Sequence, residues 1–263
     1  MERKLLLICN PGTPGVNYVQ HVPDILNRYK SFFKSPVGGY WSDREICEMP
    51  NGFDSKAQVT WLAIQLADLA KNYEYSTIVF VGHGGNYINK DIIQLSGGGI
   101  VNVQDLIMAP GYEHLLKRTI IVDACRSLVG PTADQMLLES RSFSGEGQIE
   151  GDMCKEYYNS IIGAAEPHVE LIQSTRYGEP AIVTATGSAF SDSIFEVLNQ
   201  KIPEWNTLAL GDRCGQLCKG NKEVLDLTSP LMKGFSQVPE FTRLGGHGDF
   251  PLYAVWRPVT RIL

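Results

Sequence analysis

The chain has 263 residues, of which 43% are hydrophobic and 20% are charged, and these fractions exclude global disorder and a coiled coil. Its 23 Lys and Arg residues against 29 Asp and Glu residues give a net charge of −6, which argues against nucleic acid or an anionic membrane as a partner. The length fits one large domain or two small ones.

The amino terminus carries a short apolar run at 5–9, followed by a loop rich in Pro and Gly. The run is shorter than the apolar segment of about 7 residues that a signal peptide needs. No other run approaches the roughly 18 residues of a membrane-spanning helix. We therefore expect 5–9 to be a buried strand and the protein to be cytoplasmic.

Six cysteines lie at positions 9, 47, 125, 154, 214 and 218. They form no CxxC motif and lack the spacing of zinc ligands, which predicts reduced thiols in a reducing compartment. We expect no metal and no cofactor, and the role of Cys214 and Cys218 stays open.

Apolar strand-like runs alternate with helix-like stretches along the chain. We predict strands at 5–9, 41–49, 77–81, 119–122, 181–186 and 252–256. We predict helices at 22–33, 54–73, 103–108, 155–165 and 192–198, with a surface hairpin within 88–103. The polar stretch 128–152 is predicted to be a long mobile loop, and 211–220 an irregular insertion. This alternation predicts an α/β fold with a parallel sheet and helices on both faces.

Two of the most apolar strands are followed by residues that can act as a base or a nucleophile. His83 follows the strand 77–81, and Cys125 lies just beyond the strand 119–122. Because sites form at the carboxyl ends of strands in such sheets, we expect His83 to activate the Cys125 thiol as a base. The backbone N–H groups of Gly84 and Cys125 would then form an oxyanion hole.

Each residue also has a simpler interpretation. Cys125 alone would be an inert buried thiol, and His83 alone a loop histidine. His247, in Gly-Gly-His-Gly, is the rival base. The remaining histidines, including His168, have no motif and are expected at the surface.

The two motifs together resemble the caspase-like cysteine peptidases, which comprise caspases, metacaspases and bacterial relatives. They read Val-Phe-Val-Gly-His-Gly-Gly at 79–85 and Ile-Ile-Val-Asp-Ala-Cys-Arg-Ser at 120–127. The caspase pattern Q-A-C-[RQG]-G has its histidine about 50 residues upstream; here the histidine lies 42 residues upstream, and Asp123 replaces the Gln. The resemblance implies a bacterial member with a single domain over 1–263, a caspase-like sandwich of about six mostly parallel strands, and metal-free endopeptidase activity.

The resemblance also implies a specificity. Metacaspases carry Asp at the position of Asp123 and cleave after Arg or Lys, and a guanidinium fits a carboxylate best. Asp123 would therefore bind a basic P1 side chain, because alternate strand residues face one side. Asp192 is a second candidate pocket acid. Asp123 as a structural carboxylate and Asp192 as a helix N-cap are the alternatives, and we find no arginine set for an acidic P1 residue.

Family members are often zymogens that are cut between the cysteine strand and the next core strand. Arg141 is the basic residue within 128–152, so we predict self-cleavage after it, with Arg176 as the second candidate and a solvated loop residue as the alternative. A protein or peptide is the expected substrate, and the oligomeric state stays open.

Two other functions compete. One is a catalytically silent binding module on the same fold. The other is an ester hydrolase, because His83-Gly84-Gly85 resembles an esterase oxyanion loop, although the chain lacks a Gly-x-Ser-x-Gly motif. A role in regulated cell death or defence follows from the resemblance by analogy.

Overall fold

The computed structural model describes residues 1–50, 52–108, 116–126, 151–184, 187–207 and 215–257. Its strands are β1 (Arg3–Asn10), β2 (Ile46–Glu48), β3 (Tyr75–Gly82), β4 (Gly84–Tyr87), β5 (Lys90–Gln94), β6 (Ile100–Asn102), β7 (Lys117–Ala124), β8 (His168–Gln173), β9 (Val183–Thr184), β10 (Gly187–Ser188), β11 (Gly215–Gly220), β12 (Glu240–Gly245) and β13 (Pro251–Arg257). Its helices are α1 (Val22–Lys34), α2 (Ser55–Asn72), α3 (Val103–Ile107), α4 (Gly151–Ala164), α5 (Ala189–Thr207) and α6 (Asn221–Met232).

Six strands form the central sheet, in the order β12-β8-β7-β3-β1-β2. All neighbours pair in parallel except β12, which runs antiparallel to β8. β1, β3 and β7 lie inside the sheet and are covered on both faces, which is why their sequences are apolar without alternation. The predicted α/β fold with about six mostly parallel strands is confirmed.

Helices cover both faces of the sheet, as predicted. Alternate residues of β1 show the division, because Leu5 and Leu7 pack into one core and Leu6 and Ile8 into the other. The first core is completed by α1, α4, α5 and α6. The second is completed by α2, α3 and the three-stranded sheet β4-β5-β6 that follows His83.

The helix starts follow from local chemistry. α1 has Pro23 in its first turn, where the missing N–H costs nothing. α2 begins after Asp54, whose carboxylate accepts a hydrogen bond from the backbone N–H of Ala57 at 2.8 Å. Both starts agree with the predictions.

The region after α4 differs from the prediction. The core strand here is β8, whereas the described part of 181–186, residues 181–184, contains the two-residue β9, which pairs with β10 outside the central sheet. Three of the six residues of β8 are polar, namely His168, Glu170 and Gln173, so its sequence does not indicate a strand buried on both faces. Its polar residues are satisfied by distant partners: Glu170 accepts hydrogen bonds from Asn221 at 2.6 Å and Arg243 at 2.9 Å.

Two further expectations were wrong. His168, expected at the surface, is fully buried, and its ring stacks on the ring of Phe250 with the two ring centroids 3.9 Å apart. The described part of 211–220 is the strand β11 rather than an irregular insertion, and it pairs with β13 in a separate two-stranded sheet. Within the described ranges, no helix is both long and apolar enough to cross a membrane.

Candidate functional site

The register of two neighbouring strands brings His83 and Cys125 to one edge of the sheet. β3 and β7 pair in parallel up to Gly82 and Ala124, and His83 and Cys125 are the residues that follow this last pair. Adjacent strands lie about 4.8 Å apart, so both residues leave the sheet side by side. The edge is the carboxyl end of the parallel strands, where sites form in open α/β sheets.

The loop after β1 orients the ring of His83. Nε2 of His83 lies 2.8 Å from the backbone oxygen of Asn17. A carbonyl oxygen only accepts hydrogen bonds, so Nε2 carries the ring hydrogen, and Nδ1 of the neutral ring carries the lone pair. His83 is therefore arranged to take up a proton at Nδ1. The sequence does not indicate this role of Asn17, because the group involved is a backbone oxygen that any residue possesses.

Asn10 and Gly12 hold this loop against His83. The Asn10 side chain accepts from the backbone N–H of Gly12 at 2.9 Å and donates to the backbone oxygen of Gln94 at 2.8 Å. Gly12 has φ +88°, and a Cβ there would lie 2.6 Å from Nε2 of His83 and 2.4 Å from the oxygen of Asn17. The position therefore requires glycine for its backbone conformation and for space.

The half-buried Cys125 thiol contacts the segment between β8 and β9. Its Sγ accepts a hydrogen bond from the backbone N–H of Ala181 at 3.3 Å and lies 3.8 Å from the backbone oxygen of the same residue. Burial raises the pKa of the Cys125 thiol, the Ala181 N–H lowers it, and the charge of Asp123 raises it again, with a net increase. The thiol is thus protonated at neutral pH and needs a base to become a nucleophile.

Gly84 packs directly against the end of β7. A Cβ at Gly84 would lie 2.8 Å from Cβ of Ala124 and 2.9 Å from the backbone oxygen of Cys125. Only glycine allows the hairpin that follows His83 to approach this closely. The two backbones predicted to form an oxyanion hole are therefore in contact.

Arg126 ties the segment carrying Cys125 to three neighbouring elements. It donates to the backbone oxygen of Thr175 at 2.8 Å, to Asp91 at 2.6 Å and to Glu240. Burial disfavours the charge, but the two carboxylates more than offset this, so the pKa of Arg126 is raised. These three contacts of Arg126 fix the backbone on the carboxyl side of Cys125.

Asp123 lies on the Cys125 side of β7 and is almost fully buried. Its carboxylate accepts hydrogen bonds from the hydroxyls of Ser188, at 2.6 Å, and Ser191. Burial raises the pKa of Asp123, and these neutral hydroxyls offset part of the increase. Ser188 also accepts from the backbone N–H of Ser191 at 3.3 Å, so Asp123 is held at the amino end of α5.

Asp192 lies close to Asp123, and these two carboxylates with their partners form an acid cluster. Its two oxygens bind Nη1 of Arg28 at 2.5 Å and the hydroxyl of Thr184 at 2.7 Å. After burial, the charge of Asp192 contributes to the raised pKa of Asp123, so the structure brings the two predicted pocket acids together. Ser188, which precedes the first residue of α5, occupies the capping position, so the alternative that Asp192 is an N-cap is wrong.

The sequence did not indicate an arginine at this cluster, yet Arg28 of α1 lies within it. Its partner Asp192 is 164 residues away along the chain, and no local pattern marks the pair. Ser188 and Ser191 were missed for the same reason.

Several predictions fall on other parts of the chain. Arg141 and Cys214 lie outside the described residues, and so does the predicted loop up to residue 150; its last two residues begin α4. Arg176 lies in the turn after β8, where its backbone N–H donates to Glu179 at 3.3 Å. In the part of the chain that the structure describes, no three His, Cys, Asp or Glu side chains are grouped to hold a metal ion.

No family model and no curated protein matches the chain. Solved structures do. The Drosophila initiator caspase Dronc matches with a TM-score of 0.54 and 12% identity over 92% of this chain and 79% of its own. Caspase-1 from Spodoptera frugiperda matches with a TM-score of 0.53 and 13% identity over 92% of this chain and 86% of its own. A protein from Geobacter sulfurreducens matches with a TM-score of 0.54 and 13% identity over 93% of this chain and 94% of its own. At such low identity the likeness concerns the fold, and the chain has the caspase-like fold.

Proposed function

We propose that the protein is a cysteine endopeptidase that cleaves polypeptides after a basic residue, Arg in preference to Lys, through His83 and Cys125. The observation that carries the proposal is the register of β3 and β7, which sets the two residues side by side at the carboxyl edge of the sheet. The caspase-like fold of the solved neighbours supports it. The five cysteines that the structure describes are free thiols, which suits the proposed cytoplasmic location. A role in regulated cell death or defence is proposed by analogy.

In the proposed reaction, Nδ1 of His83 takes the proton of the Cys125 thiol, and Sγ attacks the carbonyl carbon of the P1 residue. The N–H groups of Gly84 and Cys125 donate to the oxygen that gains negative charge. His83 gives its proton to the departing amine nitrogen, which leaves a thioester on Sγ. A water molecule deprotonated by His83 then attacks the thioester; the new carboxyl group leaves with the product, and Sγ recovers a proton.

The acid cluster supports the basic P1 preference. Asp123 lies two residues before Cys125 on the same side of β7, and Asp192 is close enough to influence its pKa. The first turn of α5 adds a partial positive charge that favours ionised carboxylates. We propose that Asp123 binds the P1 cation and that Asp192 contributes its charge to the same pocket.

A thiol-directed affinity probe tests the function on the intact protein. An acyloxymethyl ketone carrying Arg at P1 should label Cys125, as shown by peptide mapping, and a matched probe with Gln at P1 should label it poorly. Labelling should disappear in His83→Ala. It should persist in His247→Ala, which is the matched control because His247 is exposed and is also flanked by glycine. Labelling that ignores His83, or no selective labelling, would contradict the peptidase and favour a silent binding module.

Gly12→Ala should lower kcat/KM by about 10- to 100-fold, since a small misplacement of a catalytic group has effects of this size. The added methyl group would push Nε2 of His83 and the oxygen of Asn17. Gly15→Ala is the matched control: Gly15 has φ +78°, but no described atom lies within 4 Å of its Cβ position. Peptide cleavage by both variants checks this, and equal losses would mean that backbone strain, rather than the clash, is responsible.

We propose self-cleavage after Arg141. Incubated protein should yield a fragment that begins at Ser142, identified by N-terminal sequencing, and Cys125→Ala should not yield it. The two fragments should remain together on gel filtration, because β8 pairs with β7 across the cut. A fragment beginning at Tyr177 would point to Arg176 instead, and full activity from an uncut chain would show that cleavage is unnecessary.

A further inference from the structure

We propose that Arg28 is a specificity-determining residue. By pairing with Asp192, it leaves Asp123 as the acid of the cluster that has no cationic partner among the described residues, so that the pocket matches a single positive charge. This inference rests on the proposed function and adds a residue that acts through Asp192 rather than by touching the substrate.

The pair of Arg28 and Asp192 is well fixed. Nη1 lies 2.5 Å from the carboxylate, and the two side chains are only 12% and 8% exposed. The guanidinium also lies 4.4 Å from the ring centroid of Phe195, an arrangement that stabilises a cation. The other oxygen of Asp192 accepts the hydroxyl hydrogen of Thr184 at 2.7 Å. Both oxygens of this carboxylate are therefore engaged.

Asp123 differs, because the partners that the structure describes for its carboxylate are the neutral hydroxyls of Ser188, Ser191 and Ser174. Arg28, Asp192 and Asp123 together carry a net charge of −1 when all are ionised. Without Arg28 the cluster would hold two buried carboxylates, and without the Asp192 charge it would hold a buried arginine opposite the substrate cation.

Arg28 also offers an alternative role. Within the described chain, its Nε and Nη2 are buried and have no hydrogen-bond partner, so these donors would be free to bind an acidic or amide P1 side chain. The ion pair with Asp192 favours the charge-setting role, because the guanidinium is already committed to an internal acid. A direct contact with the substrate is an outcome that the experiment distinguishes.

The experiment compares Arg28→Met, Asp192→Asn and the double variant on peptides that differ only in Arg, Gln or Asp at P1. The ratio of kcat/KM for Arg over Gln should rise about tenfold in Arg28→Met and fall about tenfold in Asp192→Asn. In the double variant it should return to within about threefold of the original value, since the two effects are coupled. Lys30→Met is the control, because Lys30 lies on the same helix and pairs with Glu48 at 2.6 Å.

Benzamidine, a mimic of the Arg side chain, provides a second measurement that needs no catalysis. Calorimetry on the Cys125→Ala protein should show binding that becomes about tenfold tighter when Arg28→Met is added. If the original protein cleaves no peptide but benzamidine follows this pattern, the proposed function fails and this inference stands. If the Arg28→Met protein does not fold, the inference is tested by the ratio of kcat/KM for Arg over Gln, which should decrease in Asp192→Asn and recover in the double variant.

Three results would overturn the inference. One is cleavage after Arg in which the ratio of kcat/KM for Arg over Gln stays within twofold of the original value in the folded variants. Another is a preference for Asp or Gln at P1 that disappears in Arg28→Met, which would make Arg28 a direct substrate contact. The last is the absence of benzamidine binding.

Discussion

Cys125→Ala should abolish peptide cleavage, with a loss of about 10⁴-fold or more in kcat, because the variant lacks the atom that forms the thioester. His83→Ala should lower kcat by about 10²- to 10⁴-fold, the usual contribution of a positioned base. The effect of His83 should be near the upper end, since burial and Asp123 hold the pKa of the Cys125 thiol above its ordinary value. Steady-state kinetics on a fluorogenic peptide measures both losses.

Two control variants separate loss of chemistry from loss of structure. Cys47→Ala removes another half-buried thiol, on β2, and His247→Ala removes the rival base. Both should retain activity, and circular dichroism should show that all four variants are folded. Cysteine-dependent cleavage that persists in Cys125→Ala would contradict the assignment.

Asp123→Asn should reduce the preference for Arg over Gln at P1. The variant keeps the shape of the side chain and removes its charge, so a P1 Arg would lose a charge-assisted partner worth about 2–5 kcal/mol if the pair is desolvated. This corresponds to about 30- to 5,000-fold in the ratio of kcat/KM. An unchanged ratio would mean that Asp123 is a structural carboxylate and that Asp192 is the acid to test next.

The same variant should be more stable than the original protein at neutral pH. Folding raises the pKa of Asp123, chiefly by burial, so the stability associated with its protonated form is present below the unfolded pKa of about 3.9 and is lost as pH rises through the folded pKa. The difference in free energy of unfolding should therefore grow above pH 4 and then level off. Urea unfolding at several pH values measures it, and parallel pH profiles would contradict the raised pKa.

The proximity of His83 and Cys125 could be predicted from sequence because each residue follows a continuous apolar strand. Such strands are parallel and buried, and parallel pairing brings their carboxyl ends together. The position of Asp123 followed from the period-two geometry of a strand. The assignment of Asp192 came from family resemblance, since nothing in its local sequence indicates a pocket.

The features that could not be predicted from sequence depend on partners that lie far apart in the chain. β8 is a core strand although it contains His168 and Glu170, because Asn221 and Arg243 satisfy the buried glutamate. Arg28 looks like an ordinary polar residue of an amphipathic helix until Asp192 is placed beside it. A hydrophobic pattern carries no information about such pairs.

We propose above all that this caspase-like fold carries a peptidase that cleaves after a basic residue. The most direct measurement is cleavage of a positional-scanning peptide library by the purified protein, with Cys125→Ala as the control. We expect cleavage after Arg, weaker cleavage after Lys, and no cleavage by the Cys125→Ala protein. Cleavage after acidic residues, or no cleavage at any P1 residue by the intact or self-cleaved protein, would contradict it.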